Sequence, residues 1–348
     1  MRILYLGDDF IQSTSAHRSA ALVRLGHNVI TINPRSFMPP HRMISALNVR
    51  TGFRLFASWV GFRVRSAIKE RLYEAGWPSL DLVWVDGCPE LPPDFFRWVK
   101  DQDYRVLNYI IDDPFGGRDR RKWDLWVKSL RHHDLTVVVR VQNIEEARRR
   151  GAKRVVRVLM SCDPQAHAPI TLTDTDRDKW ASEVAFIGTW MPERGPFLQR
   201  LLELGVPLSI WGDRWHKAPE WPQLQASWRG PAIYGSDYVK AVQCAKVIIG
   251  LLSVGNRDLS TTRSAEVPFI GGAVFCAQRT PEHEAMLKDG FEAFFWSTSD
   301  ECARLAISLL ADPDLRHRLA AAAQQRIRRD NVTNDAVLRY CLNSLQAV

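Results

Sequence analysis

The sequence has 348 residues, 46% hydrophobic and 25% charged, with 20 glycines and 19 prolines. That is the composition of a soluble globular protein of about two domains at roughly 150 residues each, and it excludes collagen-like and low-complexity disordered classes. A net charge of +8 implies an anionic partner. No run approaches the roughly 18 apolar residues of a membrane-spanning helix. The opening MRILYLGDDF turns acidic too soon for a signal peptide, so a cytoplasmic protein is expected. Cys88, Cys162, Cys244, Cys276, Cys302 and Cys341 show neither Cys-x-x-Cys nor a nearby histidine pair, so reduced, mostly buried thiols are expected and no metal.

In chain order, a strand over 2–6 leads to a helix over 15–25 that stops at Gly26, and a strand follows over 27–32. Segment 41–75 is strongly basic, with Arg42, Arg50, Arg54, Arg63, Arg65, Lys69 and Arg71 against Glu70 and Glu74. Leu47, Phe53, Leu55, Phe56, Trp59, Val60, Phe62 and Ile68 are interleaved with these charges. Such a mixture suits either a helix with solvated arginines and core aromatics or peripheral contact with an anionic membrane. Strands over 80–86, 105–111, 135–140 and 154–159 alternate with helices over 93–100, 120–130 and 144–150. Segment 161–178 reads as a linker. The alternation then restarts, with strands over 182–187, 207–211, 246–251 and 273–276 and helices over 192–204, 237–244 and 260–270. Helices over 299–311, 313–328 and 334–345 close the chain. This order predicts an α/β protein of two Rossmann-like domains with an interdomain cleft, closed by C-terminal helices. The expected divisions are 1–165, a first Rossmann-like domain, 166–330, a second, and 331–348, a helix returning to the first.

The sharper chemical signal lies in the second half. Phe186-Ile187-Gly188-Thr189-Trp190-Met191-Pro192-Glu193-Arg194-Gly195 is a strand, a glycine and a helix start near Pro192. Free N–H groups and a positive dipole end suit phosphate there, and Arg194 adds a permanent charge. Glu266 falls within a helix that runs into Gly271-Gly272 and could accept both hydroxyls of a ribose. Asp258 precedes that helix, and Arg263 is placed to pair with Glu266 or with phosphate. In the first half, Asp8, Asp9, His17, Asp112 and Asp113 stand at strand ends as candidate bases or turn acids. His132-His133 read as surface residues.

These segments resemble the GT-B-fold glycosyltransferases, specifically the CgeB-like (spore maturation protein, glycosyl transferases group 1) branch. The resemblance rests on Gly188…Arg194-Gly195, on Asp258…Glu266 as a Glu-x₇-Glu variant, and on Arg263-x-x-Glu266 followed by Gly271-Gly272. Pro281-Glu282-His283-Glu284, Phe294, Trp296 and Asp112-Asp113-Pro114 fit the same branch. Thr189 stands where many relatives carry arginine, and Gly7-Asp8-Asp9-Phe10 replaces a glycine-rich loop. The resemblance implies a metal-independent, retaining transfer of a sugar from a nucleotide sugar, UDP-linked by preference, to a hydroxyl acceptor, without a cofactor. Gly188, Thr189, Arg194, Asp258, Arg263, Glu266, Gly271 and Gly272 are then the donor-binding set, and Asp112, Asp113, Asp9 and His17 the catalytic candidates. A sugar-nucleotide epimerase, a non-catalytic nucleotide-sugar-binding protein and a receiver-like signalling module are the competing readings. No nucleic-acid-binding module is recognisable.

Overall fold

The computed structural model describes residues 1–39 and 47–347, so His41 and Arg42 of the basic segment lie outside the described residues. The chain forms two compact units. One comprises Met1–Leu159, Gly255–Arg257 and Asn334–Val348, the other Met160–Val254 and Asp258–Thr333.

The first unit starts with β1 (Arg2–Leu6), α1 (Thr14–Arg24) and β2 (Asn28–Ile32). The Ser13 hydroxyl caps α1 by accepting from Ala16 N at 3.0 Å, and Gly26 ends it at φ 83°. Next come α2 (Ala57–Glu74), β3 (Leu82–Asp86), α3 (Pro93–Asp101), β4 (Val106–Ile110), α4 (Asp124–Ser129), β5 (Leu135–Val138), α5 (Val141–Arg149) and β6 (Val155–Arg157). The strands pair in parallel in the order β2-β1-β3-β4-β5-β6. Their near-continuous apolar runs fit a sheet covered on both faces. One core joins Leu4, Leu6, Val83 and Val85 to Val60, Val64 and Ile68 of α2 and to Phe95, Phe96 and Val99 of α3. A second packs Trp123, Trp126 and Leu130 with Ile110 and Val138.

Two expectations are corrected here. His133 is fully buried, not on the surface, with its ring edge-on to Phe96 at 5.0 Å. Burial pushes its imidazole down to about 3, with the neighbouring His132 and Lys153 charges adding to the effect. On α2 the aliphatic Val60 and Val64 face the core, while the aromatic Trp59 and Phe62, expected there, are more than half exposed.

The second unit starts with α6 (Asp174–Trp180), which overlaps the end of the expected linker. A capping box explains it, with the Thr173 hydroxyl accepting from Asp176 N at 3.1 Å and the Asp176 carboxylate accepting from Thr173 N at 3.1 Å. The unit continues with β7 (Ser182–Ile187), α7 (Arg194–Glu203), β8 (Leu208–Trp211), α8 (Trp221–Leu224), β9 (Trp228–Gly230), α9 (Gly235–Gln243), β10 (Ala245–Gly250) and α10 (Arg263–Ile270). It closes with β11 (Val274–Gln278), α11 (Pro281–Met286), β12 (Phe294–Trp296), α12 (Ser299–Ala311) and α13 (Pro313–Arg329). Its parallel order is β12-β11-β10-β7-β8-β9. The final helix, α14 (Asn334–Gln346), packs against α1 in the first unit, where Arg24 pairs with Asp335 at 2.7 Å. The architecture is α/β, built as two six-stranded parallel sheets wrapped by helices.

Candidate active site

A parallel sheet offers its ligand site where consecutive strands turn to opposite sides, at the carboxyl ends. The second unit makes that switch between β7 and β10, which are hydrogen-bonded neighbours. Arg194, the first residue of α7, is buried at this point. Its Nη1 donates to Thr189 O at 2.8 Å, and its Nη2 reaches Leu251 O at 3.5 Å. The guanidinium therefore ties the turn after β7 to the loop after β10. The Glu193 carboxylate makes a second tie by accepting from Val254 N at 3.2 Å. Gly188 leaves room for this arrangement, because a Cβ there would stand 2.8 Å from the Phe186 ring and 3.3 Å from Arg194 Nη1. The helix begins at Arg194 rather than at Pro192, with Glu193 as its N-cap residue.

Glu266 lies in the first turn of α10 and is 2% exposed. Its Oε2 accepts from Arg263 Nη1 and from the Tyr238 hydroxyl, the latter at 3.1 Å. Its Oε1 is 3.7 Å from His167 Nε2, beyond hydrogen-bond range. Burial alone would raise this carboxyl, but the Arg263 charge, aided by His167 and the two hydrogen bonds, holds it below the usual carboxylate range. Arg263 also lies over the Tyr238 ring at 4.1 Å. The i,i+3 pair foreseen from spacing therefore exists, but as a buried quartet and not a surface bridge. Asp258 is half-buried on the loop before α10, with its N–H on Ser253 O at 3.3 Å.

Gly271 and Gly272 do not join this group. Helix α10 runs back from the carboxyl edge of the sheet, so both glycines stand at the opposite edge, where β11 starts. Their φ values of 76° and 89° end the helix, and Gln324 Nε2 caps it on Phe269 O and Ile270 O at 3.1 and 2.9 Å. Their role here is a helix stop, not donor contact.

In the first unit the equivalent switch lies between β1 and β3. A cavity of about 190 Å³ opens there, lined by residues that include Gly7, Asp8, Arg18, Asp86, Glu90 and Asp112. Of the candidate bases Asp8 and Asp112 line it, and Asp112 is held by Lys122 Nζ at 3.2 Å and by Arg118 at 3.6 Å. Asp9 is exposed, accepting from Asn33 Nδ2 at 2.7 Å, and His17 lies half-buried on α1. Asp113 is 1% exposed and accepts from Arg257 Nε and Nη2, Asn143 Nδ2 and Phe115 N. Its burial is outweighed by those donors, which hold its carboxyl below the usual range. That geometry is an ion-pair anchor and not a poised base.

The sequence drew attention to Asp86 only through the receiver-like reading, as part of an acidic pocket, and to Tyr238, His167 and Glu90 not at all. Asp86 ends β3 and accepts from Arg18 Nε and Nη2 at 2.6 and 2.9 Å and from the Tyr5 hydroxyl at 2.6 Å. Tyr238, His167 and Glu90 carried no motif. For Glu90 the available signal was a lone acid among apolar residues and prolines directly after a strand.

Comparison with known proteins agrees with this architecture. Residues 194–343 match the family model described as glycosyl transferase-like. Among solved structures, a sucrose-phosphate synthase from Thermosynechococcus elongatus is similar at 11% identity and TM-score 0.67, covering 100% of this chain and 99% of its own. Anabaena HepE, solved in complex with UDP and glucose, gives 12% identity and TM-score 0.68 with 100% of both chains covered. An α,α-trehalose 6-phosphate synthase from Burkholderia multivorans gives 14% and 0.61, covering 100% of this chain and 99% of its own. No curated protein matches at the sequence level. The two doubly wound parallel sheets give the chain the GT-B fold of these structures, and its segment from 194 to 343 is glycosyl transferase-like.

Proposed function

We propose that the chain transfers a sugar from a nucleotide sugar, UDP-linked by preference, to a hydroxyl acceptor, without a metal and with retention at the anomeric carbon, as a member of the CgeB-like branch. The observation that carries this reading is Glu266: a buried carboxylate kept ionised in the first turn of the helix after β10, beside the topological switch. An anion so placed accepts hydroxyl hydrogens, and ribose is the part of a nucleotide sugar that offers two. UDP is favoured because HepE was solved with UDP and glucose. Arg194 and the head of α7 supply positive charge where a diphosphate would lie, which supports metal-independent departure. In the proposed step the bond from the anomeric carbon to phosphate breaks with its electron pair on the diphosphate. The acceptor oxygen bonds that carbon, and the leaving phosphate takes the acceptor proton.

Peripheral contact with an anionic membrane from the cytoplasmic side is proposed for α2. Trp59 and Phe62 are exposed beside Arg63, whose guanidinium lies 5.5 Å from the Trp59 ring centre. No helix among the described residues is long and apolar enough to cross a membrane.

The test is thermal stabilisation by UDP and GDP of the wild type, Glu266→Gln and Glu266→Ala. UDP raises the wild-type midpoint by mass action, and both substitutions remove most of that rise. Absence of stabilisation by any nucleoside diphosphate or nucleotide sugar overturns the reading. Conversion of the donor sugar to an epimer without transfer replaces it with an epimerase.

A further inference from the structure

Glu90 lies in the first unit, in Cys88-Pro89-Glu90-Leu91-Pro92 between β3 and α3. It is 2% exposed and lines the cavity at the β1/β3 switch. Its Oε2 accepts no hydrogen bond from any described residue, and Arg35 Nε stands 3.8 Å away, beyond hydrogen-bond range. An unfilled acceptor buried in this way is unfavourable unless a ligand or an ordered water completes it. The other carboxylates of the cavity differ: Asp86 is committed to Arg18 and Tyr5 and Asp112 to Lys122, while Asp8 is exposed and accepts from Phe10 N.

Deepening the function proposed above, on which the word acceptor rests, we propose that this cavity holds one neutral sugar unit of the acceptor and that a hydroxyl of that sugar donates to Glu90 Oε2. Three features select this chemistry. Asp8, Asp86, Glu90 and Asp112 in the lining disfavour an anion. Arg35 beside Glu90 offsets its charge and so disfavours a cation. A neutral donor is what remains, and hydroxyls supply it. The volume of about 190 Å³ is below the roughly 300–1,000 Å³ of clefts for drug-sized ligands, a scale suited to a single sugar ring. Burial, partly opposed by Arg35, pushes the Glu90 carboxyl above its ordinary value, which gives the site a spectroscopic handle.

The test uses full-length protein with ¹³C-labelled glutamate carboxyls, in which the Glu90 signal is identified by its loss in Glu90→Gln. Its titration midpoint is measured alone and with the methyl glycosides of glucose, galactose and mannose. A hydroxyl bonded to the carboxylate favours the charged form, so one of these glycosides lowers the midpoint saturably. Glu90→Ala then weakens binding of that glycoside at least tenfold. A midpoint that no glycoside moves shows a water-filled cavity and overturns the proposal, as does wild-type affinity in Glu90→Ala. UDP stabilisation of the same proteins is read separately, so failure of the donor reading and failure of this one are distinguishable.

Discussion

Arg257 grips Asp113 with two hydrogen bonds, Nε at 2.5 Å and Nη2 at 2.9 Å, across 144 positions of sequence. Its Nη1 and Nη2 each hold one carboxylate oxygen of Glu146, both at 2.9 Å. Within the first unit, segment Gly255–Arg257 is therefore fastened by a three-residue ion cluster, and Asp113 is its buried member.

Asp113→Asn removes one charge of this cluster and leaves Arg257 with Glu146 as its remaining carboxylate partner. Breaking a buried pair costs about 3–5 kcal/mol, and because Arg257 is partly exposed, a loss of about 2 kcal/mol is expected. Urea denaturation measures it. The folded carboxyl titrates below its unfolded value, so its contribution is present above about pH 3.9 and disappears as pH falls through the lower folded value. A stability curve for Asp113→Asn that runs a constant distance below wild type above about pH 4 and converges on it as pH falls further is the expected signature. Parallel curves at every pH contradict it.

Gly212→Ala tests the packing of the second unit's switch. A Cβ there would lie 2.0 Å from Gly188 O, a backbone atom that also accepts from Trp215 Nε1 at 3.0 Å. Neither group can swing away, so a loss of about 2–3 kcal/mol is expected, seen as a fall of several degrees in melting temperature. An unchanged melting temperature contradicts the close approach.

His133 is buried with neither ring nitrogen bonded to a described residue. Its folded value near 3 lies below the unfolded value near 6.5, so the unfolded chain binds the extra proton between them. Stability from this group is complete above about pH 6.5 and falls with acidification, by up to about 1.4 kcal/mol per pH unit. His133→Leu removes this component, flattening the pH 5–6.5 part of the stability curve at little or no cost at pH 7. An unaltered slope refutes the assignment.

Trp59→Ser with Phe62→Ser probes the exposed face of α2. Both side chains are more than half exposed, so the pair leaves the melting temperature within a few degrees of wild type. Sedimentation with vesicles of phosphatidylserine and phosphatidylcholine falls in the variant, and wild-type binding weakens with added salt. Equal sedimentation of both proteins excludes α2 as the contact.

The sequence by itself determined the elements whose stability is local or nearly so. Buried parallel strands read as unbroken apolar runs, and β7 falls on the predicted residues 182–187 for that reason. Long helices with clear stops, α12 and α13, were equally legible. The pairing of Glu266 with Arg263 was also visible, because i,i+3 spacing is a property of the helix alone, but the burial of Glu266 was not. Short edge strands were not: β9 and β12 have three residues each and exist only through pairing with β8 and β11. The charges were decided by tertiary structure. Asp113 looked like a candidate base until folding brought Arg257 to it, and Glu90, in a turn that carries no motif, is buried only in the folded chain. Whether a carboxylate is an anchor, a ligand-binding group or a solvated turn acid depends on what surrounds it in space, and neighbours far apart in the chain supply that environment.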